Sequence, residues 1–99
     1  MIIRMFDTAV DPGDVERGQE LFRTQVRPTF EAFEGCHGIE MYIGLQASGG
    51  LLDVVAVSRW NSEAEIERAL ASDEYAEGLA ELKQLFERAP IVRHFENTD

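Results

Sequence analysis

Apolar positions along this chain change their spacing several times, and each change marks an element. Ile2-Ile3-Arg4-Met5-Phe6 is a short run of strand formers and predicts a buried first strand. Val15, Phe22, Val26, Phe30 and Phe33 then recur at intervals of seven, four, four and three, which places them on one helical face. Asp11-Pro12-Gly13-Asp14 opens that helix, with Asp11 as N-cap and Pro12 in the first helical position. Pro28 should kink or break it, and Gly35 ends it. Ile39, Met41, Ile43 and Leu45 alternate with Glu40, Tyr42 and Gly44, the period of two that a strand requires. Ser48-Gly49-Gly50 predicts a hairpin turn, and Leu51 to Trp60 a long apolar strand. Ser62 and Glu65 form a capping box for a helix that carries Ile66, Ala69 and Leu70 inward. Ser72 caps a second helical piece with Tyr75, Leu79, Leu82 and Phe86 on its inner face. Pro90 closes that piece, and Ile91-Val92-Arg93-His94-Phe95 reads as the last strand.

The resulting order, β-α-β-β-α-β, predicts an α+β, ferredoxin-like domain with a four-stranded antiparallel sheet. Helices in this order cover one face of the sheet only. Yet Ile3 and Met5 alternate with Ile2 and Phe6, and Val54 and Ala56 with Val55 and Val57, so both faces are apolar. A second copy packed sheet to sheet about a two-fold axis buries the uncovered face, and a homodimer is expected.

Ninety-nine residues make one domain, residues 1–99, with 44% hydrophobic and 28% charged positions, the balance of an ordinary globular protein. Nineteen acidic against nine basic residues give a formal charge of −10, which excludes a phosphate-binding stripe and so argues against nucleic acid or an anionic membrane as partner. Glu63, Glu65, Glu67, Asp73, Glu74, Glu77, Glu81 and Glu87 read as a solvated helix face. No apolar run is long enough to span a bilayer, and Met1-Ile2-Ile3-Arg4 lacks the pattern of a signal peptide. The single cysteine excludes an internal disulfide. A soluble, cytoplasmic protein is expected.

Cofactor motifs are lacking. Neither a Gly-x-Gly-x-x-Gly nor a Gly-Lys-Ser/Thr loop occurs, and Cys36-His37 has no second pair to complete a metal site, so neither a cofactor nor a metal is expected. His37, at the turn into the second strand, either bonds local backbone or accepts a proton at a pocket rim, since an imidazole titrates near neutrality. Trp60 either anchors helix to sheet or stacks on a flat ligand. Arg4, Asp7 and Arg59 interrupt apolar strands. A charge in such a place lies at an edge, pairs with another charge, or lines a cavity. Tyr42, Tyr75 and His94 are further candidates for contact with a ligand.

Three stretches carry a resemblance: Phe33-Glu34-Gly35-Cys36-His37-Gly38 leading into Ile39-Glu40-Met41-Tyr42-Ile43, then Val57-Ser58-Arg59-Trp60-Asn61-Ser62, then Ser72-Asp73-Glu74-Tyr75. Together they resemble the antibiotic biosynthesis monooxygenase family, over Ile2 to about Glu96. The resemblance implies a dimeric α+β barrel. It also implies, from the Gly-Cys-His-Gly turn, the quinol-oxidising branch, whose members use O2 and no cofactor. There the substrate, once deprotonated, supplies the electrons, and the protein supplies a dry pocket and groups that hold the anion. The asparagine, tryptophan and histidine of the haem-degrading branch fall here on Asp7 and near Ala69 and Leu79, and the asparagine of the polyketide-oxidising branch falls within Val54-Val55-Ala56-Val57. On this reading His37 is the expected base and Asp7 the second choice, with Trp60, Tyr42, Arg59 and Tyr75 binding a small aromatic substrate. The alternatives are a non-catalytic, ligand-binding or stress-associated dimer, and an isomerase or decarboxylase on the same scaffold. A pocket lined by Trp60 and a polar group points to an enzyme, and one closed by apolar side chains points to the binding dimer.

Overall fold

The computed structural model of the chain describes residues 1–98. Strand β1 (Ile2–Val10) is followed by a 3₁₀ turn (Pro12–Asp14), helix α1 (Val15–Leu21), a π-helical turn (Phe22–Val26) and α2 (Arg27–Glu31). Strands β2 (Cys36–Ile43) and β3 (Leu52–Trp60), helices α3 (Glu63–Leu70) and α4 (Asp73–Lys83), and strand β4 (Ile91–Glu96) complete the order. The strands form one antiparallel sheet in the order β2-β3-β1-β4, the ferredoxin-like arrangement that the pattern predicts.

Local chemistry accounts for most boundaries. The Asp11 carboxylate accepts from the Gly13 N–H at 2.8 Å. Ser62 Oγ accepts from the Glu65 N–H at 3.3 Å and donates to Glu65 Oε1 at 3.1 Å, so this capping box closes through side chains. Ser72 Oγ accepts from the Tyr75 N–H at 3.2 Å and starts α4. Gly49 and Gly50 both take positive φ, 60° and 80°, and Ser48 and Leu51 exchange two backbone bonds around them. That is the two-residue turn whose twist matches a hairpin.

Four expectations need correction. The helix that Ser72 caps ends at Lys83, short of Pro90, and Phe86 lies beyond it in an isolated bridge to Val10. β1 runs to Val10 and not to Phe6, because β3 pairs with it along all nine residues. Leu45 lies outside β2 and is 99% exposed, since the pairing with β3 ends where the Gly44 N–H meets the Asp53 carbonyl. Pro28 does not break the helix. The π turn precedes it, with the Arg27 N–H reaching back five residues to the Phe22 carbonyl, and Pro28 then sits in the first turn of α2, where it needs no N–H.

Register decides which residues face the helices. Ile2, Arg4, Phe6 and Thr8 of β1 stand opposite Trp60, Ser58, Ala56 and Val54 of β3, and Ile39 and Met41 of β2 extend the same rows. On this side Phe22, Val26, Phe30, Ile39, Trp60, Ile66, Ala69 and Leu79 form the core. The opposite face carries Ile3, Met5, Val55 and Val57, with Tyr42, Ile91 and Phe95 around them, and Tyr42, Ile91 and Phe95 are exposed. Among the described residues no helix is long and apolar enough to cross a membrane. Nor, among them, do three or more His, Cys, Asp or Glu gather where they could hold a metal ion.

Candidate functional site

Between the sheet and the helices lies a cavity of about 30 Å³. The sheet supplies Arg4, Phe6, Thr8, Ile39, Met41, Val54, Ala56 and Ser58 as one wall, and Phe22, Val26, Phe30, Leu79, Leu82 and Phe86 form the other. Strand alternation brings these sheet residues to one side, and the apolar spacing of the helices aims theirs at it. The lining is apolar but for three buried polar side chains, Arg4, Thr8 and Ser58.

Each of the three is held differently. Thr8 Oγ1 donates to the Arg88 carbonyl at 2.8 Å. Ser58 Oγ accepts from Trp60 Nε1 at 2.8 Å, which leaves the hydroxyl proton free to point elsewhere. Arg4 is 4% exposed, and its Nε finds no hydrogen-bond partner among the described residues. Its guanidinium carbon sits 5.5 Å from the centre of the Phe6 ring, a contact that offsets only part of the loss of hydration.

The sequence-nominated residues do not converge on this cavity. Trp60 is fully buried beside it, its ring 6.1 Å from Phe30 and 6.2 Å from Phe33, and it touches the cavity only through Ser58. Tyr75 packs edge-on against Phe30 at 6.0 Å. His37 is the extra residue of a bulge between Cys36 and Gly38; it is exposed, with Nε2 2.5 Å from Asn61 Oδ1. Asp7 lies on the other face of the sheet, where Arg88 Nη2 reaches it at 2.9 Å and Asp53 at 3.1 Å. Arg59 is on that face too and donates to Glu40 at 2.6 Å; this bond and the charge behind it hold the Glu40 carboxyl below the usual carboxylate range. Tyr42 is exposed there. His94 stands beside Arg4 across the β1–β4 pairing, with Nδ1 3.4 Å from Glu63.

Of the three strand charges, Asp7 and Arg59 are therefore paired and Arg4 lines a cavity. Thr8 and Ser58 escaped the sequence reading. Alternation groups Arg4, Thr8 and Ser58 on one side only once the register shows which side of β1 and β3 meets the helices.

Cys36 is half-buried, and burial pushes its thiol above the ordinary value, against the opposing bond to the Gly38 carbonyl. Alkylation by iodoacetamide at pH 8 is expected to be slower than for free cysteine and to catch up once the protein is unfolded in urea. Equal rates in the folded protein would contradict this.

Residues 1–81 match the family described as antibiotic biosynthesis monooxygenase. No functionally curated protein matches the chain in sequence. Solved structures repeat its fold over nearly their full length. One from Bordetella bronchiseptica that bears the family's name is 21% identical, with a TM-score of 0.81 over 98% of this chain and 96% of its own. Another so named, from Deinococcus radiodurans, is 14% identical, with a TM-score of 0.78 over 100% and 94%. A Mycobacterium tuberculosis protein is 22% identical, with a TM-score of 0.72 over 99% and 95%. At such identities the structures speak for the fold, and the match across four-fifths of the sequence speaks for descent: the chain belongs to the antibiotic biosynthesis monooxygenase family.

Proposed function

We propose that the protein is a cofactor-independent monooxygenase that oxidises a quinol or related ionisable aromatic with O2, working as a symmetric dimer in the cytoplasm. The observation that supports this is the largely apolar cavity between sheet and helices with a cation in its wall. An electron-rich anion reduces O2 by itself, and the surroundings it needs are dry walls and a fixed positive charge. The cavity lining includes no carboxylate and no imidazole. The substrate then enters already ionised, or gives its proton to a group outside the cavity, with His37 first and Asp7 second in line.

Oxygen uptake across hydroquinones and hydroxynaphthalenes, with no cofactor added, tests the reading. Uptake above the autoxidation blank is expected, rising with pH as more substrate ionises. The lining favours retention of the rate in both His37→Ala and Asp7→Asn; a loss of tenfold or more, about 1.4 kcal/mol in the barrier, in either variant would assign that residue as the base. No uptake with any substrate replaces this reading with the second one, a ligand-binding dimer without chemistry. The observation that favours this second reading is that Trp60 does not line the cavity and most of the side chains that do are apolar.

A further inference from the structure

We infer that Arg4 and Ser58 form an anion-binding site inside the cavity, and that its ligand is an apolar molecule carrying one oxyanion, a carboxylate or an ionised hydroxyl. This deepens the oxygenase reading by naming the charge of the substrate, and it rests on that reading only for the chemistry after binding.

Three observations carry it. First, a buried guanidinium without a carboxylate is a costly arrangement, tolerated where something else supplies the charge. The other charges of β1 and β3 are paired, Asp7 and Asp53 with Arg88 and Arg59 with Glu40, while Arg4 has no ion pair and its Nε no hydrogen-bond partner among the described residues. Second, Arg4 and Ser58 are direct partners across β1 and β3 on the same face, so their side chains stand next to each other in the cavity wall. Trp60 Nε1 already donates to Ser58 Oγ, which turns the serine into a donor toward whatever lies beside Arg4. Guanidinium and hydroxyl thus offer converging donors to one oxyanion, in a setting where such bonds are strong. Third, apart from Thr8, whose hydroxyl is taken up by the Arg88 carbonyl, the rest of the cavity lining is apolar, which matches an apolar body behind the charged group. The void of about 30 Å³ suits the oxyanion head; the body has to displace lining side chains such as Leu82 and Phe86, which are half-buried.

The single tryptophan reports on this site, because its indole N–H is bonded to Ser58. Emission of Trp60 is titrated with benzoate, 2-naphtholate, benzamide as the neutral counterpart, and chloride. Oxygen uptake is followed in parallel. The wild type is expected to bind one of the aromatic anions at least about tenfold more tightly than benzamide, and the arm that responds separates carboxylate from ionised hydroxyl. Arg4→Met, which keeps the aliphatic length, should lose that preference while melting at or above the wild-type temperature, since it removes an uncompensated charge. Ser58→Ala should weaken anion binding without abolishing it. Anion binding without oxygen uptake upholds the site and removes the oxygenase reading. Uptake with a neutral quinol that Arg4→Met leaves unchanged overturns the site and leaves the oxygenase reading standing. Emission that answers chloride but no aromatic anion overturns the site as well, as does an Arg4→Met variant that melts well below wild type and keeps the preference.

Discussion

Trp60→Ala is expected to destabilise the protein by about 3–5 kcal/mol, the range for removing a buried aromatic side chain. Three effects combine at this position. The indole is fully buried at the end of β3, and its removal leaves Phe30 and Phe33 facing a hole. It also takes away the bond that satisfies Ser58 inside an apolar cavity. A domain of this size has about 5–15 kcal/mol in total, so the variant should be marginal at room temperature. Trp60→Phe retains the ring contacts and loses the bond to Ser58, so its deficit should be smaller, about 1–2 kcal/mol. Urea midpoints at constant slope measure both. A loss below about 1.5 kcal/mol in Trp60→Ala would mean that the site collapses around the gap and that the tryptophan does not anchor β3 to the helices.

The second large effect is on assembly. Val57 stands between Met5 and Glu40 on the face of the sheet turned away from the helices, and Val55, on the same side, stands between Asp7 and Tyr42. If a second copy covers this face, Val57→Asp places a carboxylate in the middle of the contact. Association should weaken at least 100-fold, about 2.8 kcal/mol. Glu77→Lys, on the exposed side of α4, should leave association unchanged. Sedimentation at micromolar concentration distinguishes the outcomes. A wild type that runs as a soluble 11.2 kDa species would remove the dimer altogether.

The range of the interactions explains why some of this could be read from the chain and some could not. Asp11, Ser62 and Ser72 cap within three residues of themselves, and the Gly49-Gly50 turn closes between Ser48 and Leu51, so local chemistry revealed them. The alternation of β1 and β3 was equally plain, but both sides of those strands are apolar, and only the pairing register tells that Val54 looks inward and Val55 outward. The strand charges were the hardest. Arg88 lies 81 positions from Asp7 and 35 from Asp53, and Glu40 lies 19 from Arg59. Nothing in the sequence around Arg4 distinguishes it from these paired neighbours. What sets it apart is a partner missing from three-dimensional space.

The π-helical turn has a consequence for comparing this chain with its relatives. Such a turn holds one residue more than the α-helical turn it interrupts, and Phe22–Val26 sits midway along the long helical stretch. A family member whose helix is regular there has one residue fewer. Matched position by position across that point, its residues slip by one, about 100° around the helix axis. The buried Phe30 would then be set against a neighbour of Thr29 or Glu31 type, one half-buried and the other exposed. Any role transferred to α2 from a relative has to carry the gap with it.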